Sequence, residues 1–281
     1  MTDLSARTIV VTGANSGIGY ETVRALAGMG ARVVMVCRDP VRGETARAAL
    51  ARETGSPRLE LEVADLSSQA EVRALADRLV ARCDRLDVLV NNAGTWSSSR
   101  QESADGVERT WATNQLAYFL LTERLRPLLA RSAPARIVTV ASDLARGLDL
   151  GDVEFRRRPY DGVAAYAQSK QANRMWTWAL ARRLAGTGVT ANALHPGGVN
   201  TPLFSKGGGW KSWAGAAYGK LFGKTAADGA STVVHLASSP AVEGVSGRFW
   251  IDSHEAPCRF RGEAQEDALH RLCANMTGTD G

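Results

Sequence analysis

Short apolar, β-branched runs alternate with longer amphipathic stretches along most of the chain. "RTIVVTG" is followed by a helical pattern to about Gly30, "ARVVMVC" by one to about Thr54, and "LELEV" by one over 67–83. The alternation resumes with "LDVLVNNAG" and a helix over about 111–130, "ARIVTVAS" and a helix over about 164–185, "VTANALHPG" and a helix near 226–238, and finally "GRFWI". Apolar strands of this kind, joined by amphipathic helices, predict an α/β fold in which a doubly wound parallel sheet carries helices on both faces. The prediction is one domain over residues 1–281. Two connections break the rhythm, 146–162 and 202–224, and both follow strands at the carboxyl end, where such sheets bind ligands. Connections of that length in a compact domain are commonly functional.

Composition narrows the picture. A chain of 281 residues, 44% hydrophobic and 22% charged, has the make-up of a packed globular domain and excludes disorder as its main feature. The opening "MTDLSARTIVVTG" is neither basic nor a long apolar run, so a cytoplasmic protein without a membrane span is expected. Cys37, Cys83, Cys258 and Cys273 are far apart and form no metal-ligand spacing, which predicts reduced thiols and no metal site. The net charge of +5 comes from arginine spread along the chain. That distribution fits an anionic small ligand and predicts no nucleic acid.

The sharpest local signal is "TGANSGIG", Thr12 to Gly19, placed between the first strand and the first helix. Gly13, Gly17 and Gly19 allow a tight turn, close approach of backbone to a pyrophosphate and close helix packing, and the helix amino terminus favours negative charge. With Asn15, Ser16 and Ile18 between and beside them, they form the expected dinucleotide cradle. At the end of the second strand an acidic residue favours NAD and an arginine favours NADP. The sequence reads "VVMVCRDP", with Cys37 where the acid is expected and Arg38 next, so NADP(H) is expected over NAD(H). Asp39 competes, but an Asp before Pro40 also reads as a helix cap.

In "YAQSK", Tyr166 and Lys170 are four residues apart and share one face of a helix. Alone, the pair is an ordinary helix surface. Beside a glycine loop and Ser142 at the end of strand five, it reads as acid–base chemistry. Hydride transfer to a carbonyl needs a proton at the oxygen, from a donor tuned toward the working pH. A phenol at about 10 is a weak acid, and a nearby ammonium favours its ionised form. Lys170 is therefore expected to lower the pKa of Tyr166.

Taken together, "TGANSGIG", "DL" at 65–66, "NNAG" at 91–94, Asn114, Ser142, "YAQSK" and "HPGGVNT" at 195–201 resemble the classical short-chain dehydrogenase/reductase family, in the family's order and over nearly the whole chain. The "CRD" after strand two, the long segment between serine and tyrosine, and "ARRLAGTGV" leading into "HPG" are similar to its retinol-dehydrogenase-like reductases. The resemblance implies a single-domain Rossmann fold and a set of roles. Ser142 would polarise the substrate oxygen, Tyr166 would move the proton, Lys170 would also hold the nicotinamide ribose, and Asn114 would anchor a water linking Lys170 to solvent. Asp65 and Leu66 would meet the adenine, with a helix cap as the other reading of Asp65. Asn91, Ala93 and Gly94 would line the adenosine side, and Pro196, Gly197, Val199 and Thr201 the nicotinamide half. His195 is expected to be packed rather than catalytic, and Ser169 to be a helix residue.

The segment 202–224 corresponds to the family's substrate lid and carries Trp210, Trp213, Tyr218, Phe222 and four lysines, Lys206, Lys211, Lys220 and Lys224. The lysines fit an anionic group on the substrate or its carrier, or simply a solvated loop. Trp96 and residues 144–160 are expected to complete the pocket. The resulting expectation is an NADP(H)-dependent carbonyl reductase or alcohol dehydrogenase on a mostly apolar ketone, aldehyde or secondary alcohol. The resemblance also implies a homodimer or homotetramer, as the family commonly forms. The alternatives are a catalytically silent NADP(H) sensor or scaffold of the same fold, and a sugar-nucleotide epimerase or dehydratase.

Overall fold

A computed structural model describes residues 2–198 and 224–279. One eight-stranded sheet has the order β3-β2-β1-β4-β5-β6-β7-β8. Its strands are β1 (Thr8–Thr12), β2 (Arg32–Cys37), β3 (Leu59–Val63), β4 (Val88–Asn91), β5 (Ala135–Val140), β6 (Val189–His195), β7 (Phe249–Ile251) and β8 (His254–Ala256). All neighbours pair in parallel except β7 and β8, which form an antiparallel edge hairpin. The fully parallel sheet expected from the apolar strands is thus corrected at its last strand. "HEA" in β8 is short, polar and largely exposed, and an edge strand with one solvated side needs no apolar signal.

The helices are α1 (Gly17–Gly28), α2 (Pro40–Thr54), α3 (Gln69–Arg82), α4 (Arg109–Trp111), α5 (Ala117–Arg131), α6 (Gly162–Arg183), α7 (Ala226–Ser238) and α8 (Glu263–Thr277). Alternate residues of each strand supply opposite faces. In β1, Val10 joins a core with Trp111, Phe119 and Trp176 under α3, α5, α6 and α8, while Ile9 and Val11 join the core under α1, α2 and α7. Both faces of the sheet are therefore covered, as the apolar strands require.

Between α4 and α5 the helix passes through a π-helical segment (Ala112–Leu116), a wider turn of the kind often found at functional sites. Asp87, almost fully buried at the start of β4, accepts from the backbone N–H of Thr8 at 2.8 Å and from Arg7 at 2.7 Å. That contact fixes β1 against β4, where the strand order reverses and a doubly wound sheet opens a crevice. The long segment 146–162 is tied down rather than loose. The Asp152 carboxylate accepts from the backbone N–H groups of Arg156, Arg157 and Arg158, and Val153 and Phe155 are buried. Among the described residues no helix is long and apolar enough to cross a membrane.

Candidate active site

A cleft of about 600 Å³ lies at the carboxyl ends of the strands, centred on the β1/β4 reversal. Its nucleotide half is mostly backbone. Gly13 turns with φ +67°, and a Cβ there would sit 2.8 Å from the Cα of Ala93. A Cβ on Gly19 would come within 2.2 Å of the Gly13 carbonyl oxygen, so α1 packs against the loop at a distance only glycine permits. The amino terminus of α1 has neither a side-chain cap nor an acidic residue in its first turn. Its N–H groups and partial positive charge are left for an anion. Asn15, Ser16, Gly17 and Ile18 line the cleft there.

Asn92 and Thr12 stitch this half together. Asn92 donates through Nδ2 to the Thr12 carbonyl at 2.8 Å, and the Thr12 hydroxyl accepts from the backbone N–H groups of Asn92 and Ala93 at 2.9 and 3.0 Å. Ala93 and Gly94 line the cleft, whereas the Asn91 side chain does not: it is fully buried and donates to Thr122 at 3.1 Å. The expectation for Asn91 is corrected for this reason, since neighbouring residues at a strand end face opposite ways.

At the second strand's end, Arg38 is exposed and lines the cleft. Arg42 does so as well, one helical turn on, and neither guanidinium has a carboxylate within ion-pair distance among the described residues. Asp39 caps α2, accepting from the N–H groups of Val41 and Arg42 at 2.9 and 3.0 Å, with Pro40 first in the helix. Asp65 and Leu66 also line the cleft. Asp65 does not cap a helix: it accepts from the backbone and hydroxyl of Ser67, and Ser68 caps α3 instead.

The catalytic half is made of side chains. Asp161 caps α6 through the N–H of Ala164, and the helix then presents Tyr166, Lys170 and Arg174 along one stripe. Tyr166 is hydrogen-bonded to Ser142, and both line the cleft with Lys170. Lys170 Nζ lies 5.7 Å from the Tyr166 ring centre and donates to the Val140 carbonyl at 2.9 Å. Burial pushes the Tyr166 phenol up to about 12, with the Ser142 hydrogen bond opposing the rise and the Asp143 carboxylate adding to it. Burial also brings Lys170 down to about 7. The expected lowering of the phenol by its lysine is therefore not met. Desolvation of the phenolate dominates, and it is the Ser142 hydrogen bond rather than Lys170, itself lowered by burial, that opposes it.

Asn114 sits behind the cleft wall in the π segment, fully buried. Its side chain is committed to both backbone groups of Thr95, at 2.8 and 3.0 Å, and to Ser169 Oγ at 3.0 Å. Ser169, read from the sequence as an ordinary helix residue, therefore joins Asn114 to the Tyr166 carbonyl, to which it donates at 2.7 Å. The Asn114 backbone carbonyl accepts from Asn173 Nδ2 at 2.8 Å. Arg174, also unanticipated, donates to the Ser142 carbonyl and lies 3.9 Å above the Phe249 ring. His195 is packed, as expected: its Nδ1 accepts from the backbone N–H of Asp143 at 3.2 Å, and burial lowers its pKa.

Trp96, Leu144, Pro196 and Gly197 line the cleft. Residues 145–160 do not, because the tied-down segment packs behind α6, with Gln168 donating to the Val153 carbonyl at 2.7 Å. Val199, Thr201 and the expected lid lie outside the described residues, apart from Lys224, which pairs with Asp252.

Residues 7–211 match the short chain dehydrogenase family. The chain is a short chain dehydrogenase. It is 40% identical to human (Homo sapiens) retinol dehydrogenase 14 over 90% of this chain and 80% of that one. A crystal structure of a Mycobacterium paratuberculosis protein superposes with a TM-score of 0.76 and 31% identity, covering 100% of the dehydrogenase and 99% of that chain. A short chain dehydrogenase from Shigella flexneri, complexed with NADP, superposes with a TM-score of 0.72 and 25% identity, covering 89% of this chain and 98% of its own. The dehydrogenase is thus an oxidoreductase of a family acting on CH–OH and C=O groups.

Proposed function

We propose that this dehydrogenase transfers hydride between NADP(H) and a mostly apolar ketone, aldehyde or secondary alcohol, with Tyr166 moving the proton at the substrate oxygen. The observation that carries the reading is convergence: Ser142, Tyr166 and Lys170 meet in the same cleft as the glycine loop. NADP(H), when bound, supplies or takes up the hydride at its nicotinamide. The residues fit that group. Gly13, Asn15, Ser16, Gly17, Ile18 and Gly19 hold the diphosphate at the uncapped α1 terminus. Arg38 and Arg42, with no ion-pair partner among the described residues, are two guanidiniums suited to a 2′-phosphate. Asp65, Leu66, Ala93 and Gly94 border the adenosine, Pro196 and Gly197 the nicotinamide, and Lys170 the ribose; Val199 and Thr201 follow in the same segment.

With its phenol raised to about 12, Tyr166 keeps its proton through the neutral range and can give it to a carbonyl oxygen held by the Ser142 hydroxyl. The NADP-bound relative supports the choice of cofactor, and the retinol dehydrogenase relative supports an alcohol–carbonyl pair as the reacting group. The test is Tyr166→Phe. It should abolish turnover in a ketone screen while leaving NADPH binding, read by nicotinamide fluorescence, unchanged. A variant that keeps most of its activity rules out the assigned acid.

A further inference from the structure

Lys170 enters the cleft through a buried polar layer whose last member is Asn173. A lysine nitrogen has four tetrahedral directions. Its bond to carbon takes one, and the acceptors Val140 O at 2.9 Å and Asn173 Oδ1 at 3.2 Å take two more. The remaining direction holds the third N–H of the ammonium or the lone pair of the amine. Lys170 lines the cleft beside Tyr166 and Gly94, so that fourth position is the one available to a bound molecule.

Asn173 can play this part only if its amide presents oxygen, and the surroundings fix that choice. Its Nδ2 donates to the Asn114 carbonyl at 2.8 Å and to Gln115 Oε1 at 2.9 Å, which uses both amide protons on acceptors. Both acceptors belong to the π segment, and Asn173 is fully buried. Among the described residues, the titratable groups facing Nζ are the phenols of Tyr118 on α5, ring centre 5.5 Å away, and Tyr166 on α6, at 5.7 Å. No carboxylate lies within ion-pair distance of it among the described residues.

We propose that Asn173 is a positioning residue for the reaction: its oxygen, locked by the π segment, holds Lys170 Nζ so that the one unclaimed position on the nitrogen faces the cleft. The proposal rests on the reading of Lys170 as a cofactor and proton-site residue. A neutral amide suits this position because it orients the amine without fixing its charge, whereas a carboxylate would hold the lysine permanently protonated.

The chain has five lysines, so ¹³Cε-lysine NMR of the protein resolves Lys170, with Lys170→Met identifying its signal. In the wild type it should titrate near pH 7. Asn173→Asp should move the midpoint upward by about one to two pH units. Asn173→Leu, with no acceptor for the ammonium, should move it downward. A role confined to packing predicts the wild-type midpoint in Asn173→Leu, and that result, in a variant that still binds NADPH, overturns the proposal; the new carboxylate of Asn173→Asp raises the midpoint by charge and serves only to show that position 173 faces Nζ. If Asn173→Leu does not fold, Asn173→Ala, which also lacks the acceptor, decides in its place, with the same downward shift expected. The titration needs no substrate, so it stands apart from the Tyr166→Phe test: a protein inert toward every ketone would sink the redox reading without altering the lysine signal.

Discussion

Where the cleft borders β1 and β4 it presents backbone N–H groups and glycine contours, with two arginines standing in solvent beside them. Where it borders β5 and α6 it presents a buried phenol, a buried amine and a fully buried amide layer. The first region binds by shape and by fixed partial charges that do not titrate. The second works by desolvation, which moves proton equilibria by several pH units but leaves each group dependent on its neighbours. The two regions should therefore fail in different ways: the nucleotide half by steric exclusion, the catalytic half through its response to pH.

The largest effect is expected at Gly19. Gly19→Ala puts a methyl group 2.2 Å from the Gly13 carbonyl oxygen, so NADPH affinity measured by fluorescence titration should fall at least ~100-fold through displacement of the loop. Retained affinity would mean that close packing of the loop is dispensable.

Lys170→Met is the matching break in the other half. The folded-state pKa of Lys170, about 7, lies below its ordinary 10.5. Between those values the unfolded chain binds one more proton, so the stability of the ligand-free protein should rise with pH across that window, by about 1.4 kcal/mol per unit. Removing the amine should remove this gain. Urea unfolding at pH 7 and 9 should show a difference of about 2 kcal/mol in the wild type that is absent from the variant.

Arg38→Asp comes next. It should lower the NADPH to NADH affinity ratio roughly tenfold, the Arg42 guanidinium keeping part of the phosphate contact. Equal ratios before and after would remove Arg38 from the phosphate site. The smallest effect belongs to Asp143→Asn. Its carboxylate raises the phenol, so neutralising it should bring the alkaline limb of the activity profile down by a fraction of a pH unit. A limb that moves upward would contradict the assigned sign.

Residue type and spacing made much of this legible beforehand. Tyr166 and Lys170 are one turn apart on a helix, and any helix there brings them to one face. Asp39 before Pro40 declared a cap, and the loop glycines declared a turn. Other features depend on contacts that no local spacing encodes. Asn91 and Asn92 are the same residue type, and only the facing of the strand end separates the one that supports the cleft from the one that does not. Helix α8 went unforeseen because its inward stripe includes Glu266 and His270, both buried. Glu266 is satisfied by Arg182 from α6, a partner 84 residues away. Asn173 was visible as an asparagine three residues past Lys170, but its meaning needed the π segment against which its amide is locked.

Arg174 ties the reacting serine to the far end of the chain. Its guanidinium holds the Ser142 carbonyl while resting on Phe249, the first residue of β7, with Phe260 5.5 Å away beyond the edge hairpin. Strand β7 and the segment that carries Phe260 thus act as a footing for the proton-transfer apparatus, and damage at that remote margin of the sheet should be felt first as a misaligned hydroxyl.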